Sequence, residues 1–190
     1  MHRANRSAKA WWVAAMAALV GCGGNAAEPA KPCDQQCRDA VVLRAIRETV
    51  KWVYNKTLQG EPVGMHDETM ACLTGGTARV SGAAASNPVQ GATEVKLVYT
   101  FDGCGYFMKQ AAPERNYALT LTGTITEEGT LAVQPTATTA LLMNSDAMSL
   151  SGTVYDPAAA YDEASCPIAL AQNGNDVSGM ICGRMAGFSF

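Results

Sequence analysis

The sequence predicts an α+β fold, in which one N-terminal amphipathic helix is followed by an antiparallel β-sheet domain of about eight strands. Residues 34–59 have the apolar spacing of a helix, and the apolar period changes to two after Cys72. Two short apolar runs flank Asn173-Gly174-Asn175, which predicts a hairpin near the C-terminus. We expect the sheet to form a small barrel or a sandwich, with the helix covering an edge or an open end.

The helix prediction depends on its apolar spacing and on residues suited to its ends. Asp34 is suited to cap the first turn, and Gly60 and Pro62 end the segment. The apolar stripe consists of Val42, Ile46, Val50, Val53 and Thr57. A separate face carries Arg44, Arg47, Lys51 and Asn55. We expect the helix to pack on its own domain; the alternative is a helix that binds a partner or a membrane surface.

Three segments alternate apolar and polar residues, most of the polar ones Ser or Thr, as is typical of antiparallel strands with one solvated face. They are EVKLVYTF at 94–101, YALTLTGTIT at 117–126 and MSLSGTVY at 148–155. Shorter strands are expected near 77–81, 130–134 and 138–143. Turn residues predict breaks at Ser86-Asn87-Pro88, Glu127-Glu128-Gly129, Asn144-Ser145-Asp146 and Asp156-Pro157.

The first 22 residues have the pattern of an export signal. Three basic residues precede the uncharged run WWVAAMAALV at 11–20, which is shorter than the about 20 residues of a membrane span. Leu19-Val20-Gly21-Cys22 resembles the lipobox of bacterial lipoproteins. The resemblance implies cleavage before Cys22, a diacylglycerol on its thiol and an acylated new N-terminus. Gly23, in place of Asp, implies sorting to the outer membrane in Gram-negative bacteria.

The expected organisation is a signal peptide at 1–21, a flexible tether at 22–32 and a single disulfide-stabilised domain at 33–190. Within that domain the helix is expected at 34–59 and the β region at 72–190. The localisation that follows is the cell envelope, with the membrane as a partner through the lipid on Cys22.

The charge distribution argues against nucleic acid as a partner. The whole chain has a formal net charge of −3, and removal of Arg3, Arg6 and Lys9 with the signal leaves −6. The helix segment is net basic, whereas residues 60–190 are strongly acidic. A basic helix packed on an acidic sheet accounts for this asymmetry; the alternative is that the helix presents its basic face to an envelope protein partner.

Six cysteines remain beyond Cys22, an even number that predicts a disulfide framework in an exported chain. A three-residue hairpin loop would place Cys166 opposite Cys182, which makes that pair the first choice. Cys72–Cys104 and Cys33–Cys37 would be the remaining bridges, and separate bridges from Cys33 and Cys37 to the sheet are the alternative. Free thiols, or a zinc site starting at Cys33-x₃-Cys37, are less favoured.

One segment of the sequence carries side chains that could act as ligands or in catalysis. His66 is the single histidine beyond the signal, and with Asp67 or Glu68 it defines a possible ligand site. A solvated loop between helix and sheet is the preferred interpretation of this segment. Neither a nucleophile elbow nor a phosphate or dinucleotide loop is present in the sequence, so no catalytic residue, metal or cofactor is assigned. The expected function is a lipid-anchored binding or structural module of the envelope, with an enzyme or metal-dependent protein using His66 as the alternative.

Overall fold

The computed structural model describes residues 32–86, 91–132 and 138–190. The predicted signal peptide, Cys22, nearly all of the tether and the Asn87-Pro88 turn lie outside these residues. The helix α1 spans Gln35–Thr57. The strands are β1 Gly64–Ala71, β2 Thr77–Ser86, β3 Ala92–Met108, β4 Tyr117–Ala132, β5 Ala140–Val154, β6 Ala159–Asn173, β7 Asp176–Ile181 and β8 Arg184–Ser189.

The eight strands form one antiparallel sheet in which each strand pairs with its neighbours in sequence, in the order β1 to β8. Strands β1 and β8 are not paired with each other, so the sheet is open, neither a closed barrel nor a two-sheet sandwich. Helix α1 contacts β1 to β5 and also β8. Because one helix reaches both edge strands, the sheet must curl around it.

The position of the helix explains why its burial differs from the predicted stripe. Val42, Ile46 and Val50 are fully buried, as expected. Arg44 and Arg47, which the spacing placed on another face, are buried as well. A curled sheet surrounds the helix on more than one side, so the structure does not show a simple amphipathic helix. Asp34 caps it as predicted, because its side chain accepts a hydrogen bond from the backbone N–H of Cys37 at 2.9 Å.

The predicted alternation along the strands is confirmed. Val95, Leu97, Tyr99 and Phe101 face the core, and the intervening residues are exposed.

Two predicted turns are wrong, because 127–129 lie within β4 and 144–146 within β5. The strands bend at register shifts, between Gly123 and Thr126 in β4 and between Ser145 and Met148 in β5, without ending there. Turn-forming residues therefore mark the neighbourhood of bends in long strands here.

Three disulfides are present in the described residues: Cys33–Cys37, Cys72–Cys104 and Cys166–Cys182. They are the pairs that the sequence put first, although the hairpin register predicted for the last was wrong. Asn173 pairs with Asp176, so the loop has two residues and Ile168 lies opposite Ile181. Cys182 follows the end of β7 with φ +49°, and its N–H bonds to the carbonyl of Pro167 at 2.9 Å. This turn brings its Cα within 4.3 Å of that of Cys166.

A buried carboxylate links the start of the helix to the end of the sheet. Asp39 is 1% exposed and accepts hydrogen bonds from Gln35, Tyr161 and Arg184. Glu163 accepts a further hydrogen bond from Arg184 at 2.7 Å. The network fixes α1 against β6 and β8. Among the described residues, no helix is both long enough and apolar enough to cross a membrane.

Candidate functional site

The main concave feature is a pocket of about 420 Å³ between the second half of α1 and one end of strands β4 to β6. The helix contributes Arg47, Lys51, Tyr54, Asn55 and Gln59. The sheet and its connections contribute Glu127, Leu131, Ala132, Thr139, Gln172, Gly174 and Asn175, and Phe190 completes the lining. Its size lies within the range of about 300–1,000 Å³ that is usual for small-molecule sites.

Arg47 is the buried cation of this pocket. Its side chain is 3% exposed, and its Nε donates a hydrogen bond to Oε1 of Gln172 at 2.5 Å. The amide nitrogen of Gln172 donates in turn to the carbonyl of Gly174 at 2.8 Å, within the β6–β7 turn. This chain of hydrogen bonds fixes the direction of the guanidinium. The Nη nitrogens of Arg47 have no hydrogen-bond acceptor among residues 32–86, 91–132 and 138–190.

Glu127 is the buried carboxyl group of the same pocket. It is 2% exposed, and its Oε2 accepts a hydrogen bond from the hydroxyl of Tyr99 at 2.8 Å. Burial raises the pKa of Glu127, and the charge of Arg47 and the hydrogen bond from Tyr99 offset part of that rise. Burial likewise raises the pKa of Tyr99, and the adjacent Glu127 adds to it. Tyr99 therefore stays protonated and remains a donor to this carboxylate.

The two buried charges do not form a direct ion pair. The ion pairs found within 4.0 Å in the described part of the chain join other residues: Arg79 to Asp67, Lys96 to Glu128, and Arg184 to Asp39 and Glu163. Arg47 and Glu127 are still close enough for the arginine charge to lower the pKa of the carboxyl. Charged side chains are seldom fully buried unless they are paired. A pocket lined by two such groups can bind a ligand that supplies their missing partners.

The rim of the pocket combines one exposed cation with aromatic rings. The ammonium nitrogen of Lys51 lies 5.6 Å from the ring centre of Phe190. Burial raises the pKa of Tyr54, and the negative charge of Glu127 adds to this rise. The rim of the pocket is therefore partly aromatic, whereas its interior is lined by the ionisable side chains of Arg47 and Glu127.

His66, Asp67 and Glu68 lie in β1 at the edge of the sheet, so the prediction of a loop here is wrong. The alternation of a strand puts Asp67 on the opposite face from His66 and Glu68. Asp67 accepts two hydrogen bonds from Arg79 on β2. In the described ranges no three His, Cys, Asp or Glu side chains are grouped as metal ligands. The structure therefore does not bring these three residues together as one site.

The predicted lipidation residue, Cys22, lies outside the described residues, so its prediction stays untested. All six other cysteines form the disulfides given above.

Sequence reasoning missed the three polar residues in the pocket interior. Glu127 was predicted to lie in a turn, but it follows Ile125 by two, and Gln172 follows Leu170 by two, so continued strand alternation would have placed both on the inward face. The helix pattern gave no comparable signal for Arg47, because an arginine outside the apolar stripe is normally solvated. No protein-family model, curated protein or solved structure matches this chain.

Proposed function

We propose that this protein is a binding module of the cell envelope, held at the membrane by lipid on Cys22, and that the pocket beside α1 holds its ligand. The observation that carries the proposal is the burial of Arg47 and Glu127 in one pocket without an ion pair between them. Evenly paired cysteines support export, because disulfides persist in oxidising compartments. The proposed location is the outer membrane.

Ligand binding is tested by thermal unfolding of the full-length protein with separate panels of sugars, polyamines, dicarboxylates and amino acids. The matched control is Ala132→Trp, which puts a large ring into the pocket lining. We expect at least one compound to raise the unfolding temperature of the wild type and to leave that of the control unchanged, because binding to the folded state alone stabilises it. No stabilisation by any panel, or equal stabilisation of both proteins, would contradict the proposal.

The membrane anchor is tested separately, by intact mass spectrometry of protein extracted from the membranes of a Gram-negative host. We expect the mass of a chain that begins at Cys22 and carries several acyl groups. The control is Cys22→Ser, which removes the thiol needed for lipid attachment and should retain residues 1–21. An unacylated wild-type chain would refute the anchor while leaving the ligand proposal standing.

A further inference from the structure

We infer that the pocket binds a small zwitterion of the amino-acid class, whose carboxylate pairs with Arg47 and whose ammonium group pairs with Glu127. This inference rests on the proposed function, since it names the ligand class of the same pocket.

The free end of Arg47 is suited to bind a carboxylate. Its Nε is already occupied by Gln172, whereas its two Nη nitrogens have no acceptor among the described residues. These two nitrogens form a planar fork that matches the two oxygens of a carboxylate. Gln172 and its hydrogen bond to Gly174 hold the fork before a ligand arrives. A ligand carboxylate would supply the counter-charge that this buried cation lacks.

The carboxylate of Glu127 is suited to bind an ammonium group. Tyr99 donates to one oxygen, Oε2, and the hydrogen bonds of the described residues leave Oε1 as an acceptor. An ammonium group brings three donors and a positive charge, which a buried carboxylate favours over a neutral donor. The hydroxyl of Tyr99 holds Glu127 in place, as Gln172 holds Arg47.

Charge balance favours a zwitterion over a ligand with one charge. An anion on Arg47 would add a second negative charge beside Glu127, and a cation on Glu127 would add a second positive charge beside Arg47. Like charges in a desolvated site repel strongly, and an unmatched buried charge is costly. A zwitterion leaves the net charge of the site unchanged and gives each side chain an opposite partner. Leu131 and Tyr54 offer apolar contact to the carbon atoms between its two ends.

The test is isothermal titration of the full-length protein with unbranched amino acids of increasing length, from glycine to 6-aminohexanoate. Each is compared with the amine and with the carboxylate of the same carbon number. We expect one chain length to bind about tenfold or more tightly than either comparison compound, since each lost charge-assisted contact is worth about 1.5–3 kcal/mol. This comparison needs only the wild-type protein, so it does not depend on a variant that folds.

The variants then assign the two ends. Arg47→Lys keeps the positive charge but loses the fork, and we expect the advantage of the zwitterion over the plain amine to become smaller, because a single ammonium group cannot bind both carboxylate oxygens in the fork geometry. Glu127→Gln keeps the hydrogen-bond acceptor for Tyr99, and we expect the advantage over the plain carboxylate to disappear. The control is Arg79→Gln, an exposed arginine that does not line the pocket and should leave both advantages intact.

Three outcomes would overturn the inference: equal binding of amino acid, amine and carboxylate; no binding of any amino acid; or binding that Arg47→Lys leaves unchanged. If a sugar or polyamine stabilises the wild type but not Ala132→Trp, and no amino acid binds, the proposed function stands and only this inference fails. If no compound of any class distinguishes those two proteins, the proposed function fails as well.

Discussion

Asp39 at the start of α1 and Arg184 at the start of β8 are joined by two hydrogen bonds, 2.7 and 3.0 Å long, across 145 residues of sequence. The carboxylate is buried, and Tyr161 and Gln35 donate to it as well. Helix α1 is thereby joined to β8, which is an edge strand of the sheet that the described residues form. The interior Arg47 reaches the pocket from the same helix, so this network also positions the candidate site.

We expect Asp39→Asn to destabilise the protein by about 3 kcal/mol at neutral pH, because it leaves the partners of a buried charge uncompensated. Burial acts to raise the pKa of Asp39, but the hydrogen bonds from Arg184, Tyr161 and Gln35 outweigh it, so the folded pKa lies below the ordinary 3.8. Its contribution is therefore complete above that value and is lost as the pH falls through the folded pKa. Urea unfolding of the wild type and of Asp39→Asn at several pH values measures the difference in their free energies of unfolding.

The matched control for Asp39 is Asp67→Asn, which breaks an exposed ion pair with Arg79 between β1 and β2. Exposed pairs add little to stability, so we expect no measurable change in the urea midpoint. Equal losses in the two variants would contradict the role given to the Asp39 network.

The three disulfides are expected to differ in their contribution to stability. They close loops with sequence separations of 4, 16 and 32 residues, for Cys33–Cys37, Cys166–Cys182 and Cys72–Cys104. Loop-closure entropy in the unfolded state then gives contributions of about 2, 3 and 4 kcal/mol in that order. Paired Cys→Ala variants, unfolded in urea without reductant, measure each one. A largest loss from the Cys33/Cys37 variant would contradict this order.

The sequence predicts the helix and the alternation of the strands, but not how long the strands are or how the sheet curls around the helix. The helix and the alternation of β3 to β5 follow from local spacing, which is a property of neighbouring residues. The cysteine pairs do not: the first was chosen from a hairpin register that was wrong, and the other two by elimination. The length of the strands does not follow, because Glu127-Glu128-Gly129 and Asn144-Ser145-Asp146 have turn composition but lie in strands that bend. The length of a strand depends on hydrogen bonding to neighbouring strands. Those partner residues are distant in sequence, so local composition does not predict it.

The candidate site was less predictable because its polar residues come from three separate elements. Glu127 was assigned to a turn because of its polar neighbours, whereas it lies on an inward position of β4, and Gln172 on β6 was not recognised as a pocket residue. The burial of Arg47 depends on the sheet curling past the helix on more than one side, and no local pattern encodes that. For His66 the sequence predicted a candidate ligand site that the structure does not assemble. Histidine is a common ligand, but the side chains next to it in β1 alternate between the two faces of the strand.

Neighbouring strands approach each other too closely at some glycines for any side chain to fit. Gly152 in β5 has φ +143°, and a Cβ there would clash with the carbonyl oxygen of Ala118 on β4. We expect Gly152→Ala to lower the free energy of unfolding by about 2 kcal/mol, through that clash and the unfavourable backbone conformation. Gly64→Ala is the control, since Gly64 has φ +157° and open space at the Cβ position. Denaturant unfolding measures the free energy of unfolding of both variants. Equal losses of stability in Gly152→Ala and Gly64→Ala would mean that the backbone conformation alone, and not the clash, destabilises Gly152→Ala.

Glu127 gives the pocket a pH dependence that can be measured as stability. Burial raises its folded pKa above the ordinary value of 4.5, and Arg47 and Tyr99 offset this only in part. The folded state therefore holds the proton to higher pH than the unfolded state, and ionisation of this carboxyl costs stability as the pH rises. That cost is absent below pH 4.5 and complete above the folded pKa.

We therefore expect the free energy of unfolding of the wild type, minus that of Glu127→Gln, to decrease as the pH rises from 4.5 and then to level off. Taking the difference cancels the other titrating groups, and urea unfolding at each pH measures it. Tyr99→Phe removes a hydrogen bond that lowers the pKa of Glu127. In that background the decrease should extend to higher pH. A difference that increases with pH would mean that the folded state stabilises the ionised form of Glu127, contrary to the burial of this carboxyl group without an ion pair to any described residue.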